Sequence, residues 1–179
     1  MTVSFSPAGF VIVMGTAGTG KSEIGRRISR RIGCHFVEAD DLHAPEAVEQ
    51  MRQGIPLTDE QGMPWLHAVC NRALFEQDRP AVIACSALKR SYRDLLRKRL
   101  AAVRLVSLEG APELILERLR ARNGHFATAS LLESQIKTLE TPQADEHALR
   151  LDIALSPEAL TDLCCNWLLK EPRSARHGA

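Results

Sequence analysis

The chain has 179 residues, 45% hydrophobic and 25% charged, the ordinary range for a globular protein able to bury a sizeable core. Lysine plus arginine total 23 against 22 aspartate plus glutamate, a formal net charge of +1, so no global field draws the chain to nucleic acid or anionic lipid. Five cysteines, an odd number with no repeated C-x-x-C spacing, suggest neither a disulfide framework nor a zinc site and fit reduced, buried thiols; for the vicinal Cys164-Cys165 pair core packing is the default. The first nine residues carry no basic stretch and the apolar run that follows is too short to span a bilayer, so the expectation is a cytoplasmic protein without membrane contact.

In chain order, residues 10–14 are a β-branched apolar run closed by Gly15 and predict a buried strand. Ile24, Ile28 and Ile32 recur one turn apart and predict an amphipathic helix over 21–32, ended by Gly33. A short second strand is expected at 35–39, a helix at 45–54, a loop at 56–64 and a helix at 65–77. Residues 81–85 read as a third buried strand, 88–100 as a helix and 103–108 as a fourth strand. Pro112, in the first turn where proline is favoured, opens a helix over 112–122; Asn123-Gly124 breaks it, and 131–139 forms the next. A fifth strand at 149–155 and a helix at 157–169 precede a loose tail at 172–179. Such alternation predicts an α/β fold with a parallel sheet, helices on both faces, and ligands at the carboxyl ends of the strands. Residues 1–179 read as a single domain.

Gly15-Thr16-Ala17-Gly18-Thr19-Gly20-Lys21-Ser22 matches G-x-x-x-x-G-K-[ST] between a predicted strand and a predicted helix. Glycines let the main chain wrap around phosphate oxygens with its N–H groups pointing inward, and the helix adds its positive end. Lys21 suits the β- and γ-phosphates of ATP, and the Ser22 hydroxyl suits Mg²⁺. No N-K-x-D guanine motif is present, and neither the third nor the fourth strand ends in aspartate. The strand-end acid is Asp40, with Asp41 beside it, which points to a small-molecule kinase whose early aspartate serves the acceptor.

Phosphoryl transfer to an alcohol needs a carboxylate that orients the hydroxyl and accepts its proton. Asp40 is the candidate, with a further place near Mg²⁺ through water; the competing reading is that Asp40 and Asp41 cap the next helix. His43 suits a polyol hydroxyl. Ser86 stands where an N-cap of the following helix is expected, and Lys89 and Arg93, one turn apart, suit a substrate carboxylate or else form a solvated basic face. Arg118 and Arg122 share a helix face ahead of Gly124-His125-Phe126, a composition suited to a lid that brings arginine to the phosphoryl and excludes water; the alternative is helix-dipole stabilisation. The acceptor region is then about 40–77 and the lid about 118–130.

Together these motifs resemble the gluconate kinase family, relatives of shikimate kinase among the phosphate-loop kinases. The resemblance runs from Phe10 to Leu169. It is carried by the phosphate loop, by Asp40 with Leu42-His43, by Gly54-Ile55-Pro56-Leu57 with Pro64-Trp65-Leu66, and by the run from Ala84 to Asp94. Arg118-Leu119, Arg122, Gly124-His125-Phe126, Ser134-Gln135 and Thr138-Leu139-Glu140 extend it. It implies conversion of ATP and D-gluconate to 6-phosphogluconate, Mg²⁺ dependence, a homodimer, and a five-stranded sheet in the order 2-3-1-4-5. It also implies Lys21 and Ser22 on ATP and Mg²⁺, Asp40 on the acceptor hydroxyl, His125 with the substrate, and Arg118 and Arg122 in the lid.

Departures from the family pattern gather on the acceptor side. Ala44 replaces the usual proline, Ala47 an asparagine, Gln50 a lysine, and Gln61-Gly62 an acid followed by arginine. Another sugar acid or polyol as acceptor is therefore the alternative within the same fold. A nucleotide-binding protein with little turnover, or a kinase of RNA ends using the basic run from Lys89 to Arg99, are alternatives of other classes; near-neutral charge and 4% aromatic residues weigh against the latter.

Overall fold

The apolar runs of the sequence become the strands of one sheet in the computed structural model, which describes residues 9–75, 81–121 and 129–170. β1 (Phe10–Met14) lies at the centre between β3 (Ala81–Ala84) and β4 (Val103–Glu109), with β2 (His35–Glu38) and β5 (Leu149–Asp152) at the edges. The order is β2-β3-β1-β4-β5 and every pairing is parallel, as expected. Parallel neighbours need crossovers, and the helices supply them: α1 (Lys21–Ile32), α2 (Pro45–Arg52) with α3 (Asp59–Leu74), α4 (Arg90–Leu100), and α5 (Pro112–Arg120) with α6 (Ala129–Thr138). α7 (Pro157–Leu168) closes the chain.

Strand parity divides the core in two. Val11 and Val13 face one side, where Ile24 and Ile28 of α1 meet Leu160, Cys164 and Leu168 of α7. Ile12 and Met14 face the other, against Leu66, Val69 and Cys70 of α3 and Leu96 and Leu100 of α4. The central strands are covered on both faces, which is why they read as unbroken apolar runs rather than alternating ones. Each fully buried isoleucine contributes about 1.5–3 kcal/mol of transfer free energy. The five cysteines are free thiols; burial pushes Cys85 and Cys164 up to about 12, which makes them poor nucleophiles.

Some boundaries move. α3 begins at Asp59, inside the expected loop, with Pro64 within it. Thr58 and Gln61 form a reciprocal capping box, a T-x-x-Q signal that starts the helix despite the glycine and proline within it. α4 begins at Arg90, so Ser86 is not its cap: Ala87 takes a left-handed conformation (φ 44°), and the Arg90 N–H donates instead to the Glu140 carboxylate at 2.6 Å. β5 stops at Asp152, whose Oδ1 accepts the Ala154 N–H at 2.8 Å and turns the chain. The tail at 172–179 and the centre of the expected lid lie outside the described residues. No helix among the described residues is long and apolar enough to cross a membrane.

Candidate active site

The turn between β1 and α1 is built from main chain. Gly15 has φ 145° and Gly18 φ 85°, backbone that side-chain-bearing residues rarely adopt. A Cβ on Gly15 would lie 2.7 Å from the Leu108 carbonyl oxygen, and one on Gly18 would lie 2.8 Å from Leu119 of α5. Thr19 Oγ1 and Lys21 Nζ both donate to the Thr16 carbonyl, at 2.8 and 3.0 Å, bracing the loop from inside. Gly20 then passes into α1, whose N-terminal end points its positive dipole at the same space. Residues 15–22, with Ala17 and Ser22 among them, thus form a glycine-bent main-chain turn leading into a helix N-terminus, the shape a phosphate cradle needs.

Asp40 follows directly on β2, in a short 3₁₀ turn over Ala39–Leu42. It does not cap α2: Ala44 occupies the cap position, with Pro45 in the first turn. The turn is pinned by Trp65 of α3, whose Nε1 donates to the Ala39 carbonyl at 2.7 Å. The His43 ring stacks on Trp65 (4.3 Å between centroids, 12° between planes), with its Nε2 4.0 Å from Asp40 Oδ1. Burial lowers the His43 pKa while the Asp40 charge works the other way, so the imidazole is neutral at pH 7. Asp41 is exposed.

Glu38 belongs to this group, although it is not among the residues expected from sequence. Arg26 donates to its Oε2 at 3.4 Å, and burial raises its pKa, with the Asp40 charge adding to the shift and Ser22, Arg26 and Lys21 opposing it. Its Oε1 is buried with no hydrogen-bond partner. The signal was available: Glu38 and Asp40 are two residues apart at a strand end, the spacing that puts side chains on one face.

Lys89 and Arg93 part company. Lys89 lines the cavity and pairs with Asp59 of α3 at 2.6 Å, and Tyr92 donates to the same carboxylate at 2.5 Å. Those hydrogen bonds, Lys89 first, lower the Asp59 pKa. Arg93 is instead 1% exposed and turned into the protein, which removes it from the substrate contacts. Its guanidinium bonds both oxygens of Glu146 (2.7 and 2.8 Å) and the carbonyls of Ala87 and Leu88 (3.1 Å each). Arg93 thus shapes the turn that carries Ser86 and Lys89 rather than meeting a ligand. Burial opposes the Glu146 charge, yet bonds from Arg93, the Gln143 N–H and Arg97 hold its pKa down at about 2.

A cavity of about 200 Å³ joins these parts, lined by Ala17 and Lys21 of the loop, by Asp40 and His43, and by Lys89 and Tyr92. Gln50 and Gln61 bond each other twice (2.9 and 3.3 Å), and Gln50 also holds the Pro56 carbonyl at 2.9 Å. Pro56, Leu57 and Gly62, unlike the two glutamines, line the cavity. Arg118 lies on α5, beside the Leu119 that packs on Gly18, and donates to the Ile153 carbonyl at 2.8 Å. Arg122 and His125 lie outside the described residues.

Comparison with known proteins agrees with this geometry. A family model described as an AAA domain matches residues 10–142. The thermosensitive gluconokinase of Escherichia coli K12 is 40% identical over 156 residues, covering 86% of this chain and 83% of that one. The gluconokinase of Gluconobacter oxydans is 43% identical over 156 residues, covering 86% and 87%. The crystal structure of an unliganded sugar kinase from Janibacter superposes with a TM-score of 0.85 at 42% identity, covering 90% of this chain and 95% of that one.

Proposed function

The chain belongs to the gluconokinase family, and from that premise we infer that it moves the γ-phosphoryl of ATP onto D-gluconate, giving 6-phospho-D-gluconate and ADP. The observation that carries this reading is a cavity lined together by Ala17 and Lys21 of the phosphate loop, by Asp40 and by Lys89. The acid's carboxylate pairs with Lys89, and its polyol chain runs past neutral His43 toward the loop. Asp40 orients the terminal hydroxyl and accepts its proton. The hydroxyl oxygen bonds the γ-phosphorus as the bond to the bridging oxygen breaks, and ADP leaves. Lys21 offsets the charge that develops on the phosphoryl oxygens. Arg118, with Arg122 and His125, serves the phosphates and substrate, as the family resemblance implies.

The donors beside the loop suit Mg²⁺, a hard cation that takes oxygen ligands, retains waters and shares its shell with substrate phosphates. Ser22 would hold it directly and Asp40 and Glu38 through water; the unpartnered Glu38 Oε1 supports this fit. Bound there, Mg²⁺ would supply positive charge to offset that of the substrate phosphates. We further assign the whole chain to one kinase domain, working as a homodimer in the cytoplasm.

The test is ADP release with Mg²⁺-ATP and a panel of D-gluconate, other aldonic acids, shikimate and uncharged polyols. Turnover with gluconate well above the rest is expected. Silence with gluconate and activity on another acid would hand specificity to Ala44, Ala47, the Gln50–Gln61 pair and Gly62.

A further inference from the structure

α6 reaches across the cleft to the phosphate loop. The Ala17 N–H donates to Gln135 Oε1 at 2.7 Å, joining residues 118 apart in sequence. A backbone N–H can only donate, so the amide oxygen faces the loop and Nε2 faces away from it. Nε2 has no hydrogen-bond partner among the described residues, and Gln135 lines the cavity that holds Lys21 and Asp40. Its backbone is well anchored. Leu131 and Leu132 are buried one turn before it. One turn after it, the Glu140 N–H donates to the Leu88 carbonyl at 2.9 Å while the Glu140 carboxylate accepts the Arg90 N–H.

We propose that Gln135 is a further catalytic residue: its amide oxygen holds the Ala17 N–H, and its amide nitrogen donates to an oxygen of the phosphoryl group in transfer. Lys21 approaches that group from the loop, and a neutral two-hydrogen donor from α6 completes the hold on its spread charge. Residue chemistry favours glutamine here. A carboxylate would accept the Ala17 N–H equally well but would set a negative charge against the phosphate; the amide satisfies both neighbours. The proposal rests on reading the cleft as that of a kinase.

The experiment compares wild type with Gln135→Met and Gln135→Glu, reading kcat with ATP and D-gluconate, calorimetric affinity for ATP and ADP without any acid, and thermal stability. Gln135→Met should lower kcat by about 10- to 100-fold, the effect of one lost hydrogen bond to a charged group. It should weaken ATP more than ADP, with little change in melting temperature. Gln135→Glu, which keeps the Ala17 contact, should lose at least as much kcat and discriminate further against ATP. The idea is overturned by a Gln135→Met protein with kcat within about twofold of wild type, by equal weakening of ATP and ADP, or by a fully active Gln135→Glu protein. Should Gln135→Met fail to fold, Gln135→Glu decides alone. If wild type releases no ADP with any acid, the kinase reading fails, while the ATP-over-ADP comparison still judges Gln135.

Discussion

The phosphate loop and the acceptor wall face each other across one cavity and are made of different material. The loop is eight consecutive residues of main chain, held open by glycine conformations and braced by Thr19 and Lys21 on one carbonyl. The acceptor side is made of side chains from α2, α3, α4 and the 3₁₀ turn, several of them aimed by a partner: Lys89 by Asp59 and Trp65 by the Ala39 carbonyl, with the Gln50–Gln61 pair behind the lining. A site built from backbone is specified locally and tolerates varied side chains. A site built from side chains depends on pairs that are distant in sequence, and it can change two members together.

The largest effects should come from the loop side. Lys21→Ala is expected to lower kcat by about 10³-fold or more, because its ammonium offsets charge that grows in the transition state. Steady-state rates check this, and a kcat within tenfold of wild type would remove the cradle from the chemistry. Asp40 stands at the junction. Asp40→Asn should lower kcat by about 10²- to 10³-fold, the range for a lost general base, with calorimetric ATP affinity almost unchanged. Loss of ATP affinity in its place would move Asp40 to the metal and nucleotide side of the comparison.

The same contrast explains what could be read from the sequence. Strand and helix positions and the glycine motif were legible because apolar runs, 3.6-residue spacing and a fixed motif are local signals, whereas the sheet order came only with the family resemblance. Lys89 and Arg93 were not separable, since both sit one turn apart on a basic helix. Their fates are decided by Asp59 and Glu146, which lie 30 residues before one and 53 after the other. Glu38 was legible only as a charge two residues before Asp40; that its Oε1 is buried without a hydrogen-bond partner appears only in the fold. Gln135 carried part of the family resemblance without a role, for the same reason: the Ala17 N–H is 118 residues away.

Arg93 and Glu146 sharpen the comparison through stability rather than rate. Removing one partner of a buried pair leaves a desolvated charge, so Glu146→Gln should cost about 3 kcal/mol in urea unfolding at pH 7. The Glu146 pKa is lowered from 4.5 to about 2, so the pair's contribution is complete above about 4.5 and is lost as pH falls toward 2. The gap between wild type and variant should therefore close over that window. A variant as stable as wild type but with a raised KM for the acid would return Arg93 to the substrate.

Lys89 is the smaller effect and the more specific one. Its pairing with Asp59 places an ammonium at the cavity wall, and a substrate carboxylate competes for it. The pair is partly exposed, which limits what the charge is worth. Lys89→Met should therefore raise KM for gluconate by about tenfold, the low end for a charge-assisted hydrogen bond, and leave kcat and thermal stability nearly unchanged. Weak turnover of an uncharged polyol, if present, should not fall, since that acceptor has no carboxylate to lose. Asp59→Asn should act in the opposite sense, freeing Lys89 from its competitor and lowering KM for the acid slightly, unless the Tyr92 hydroxyl drifts with it. Equal losses for charged and uncharged acceptors in Lys89→Met would show that the lysine only shapes the wall, leaving recognition of the carboxylate to another cation.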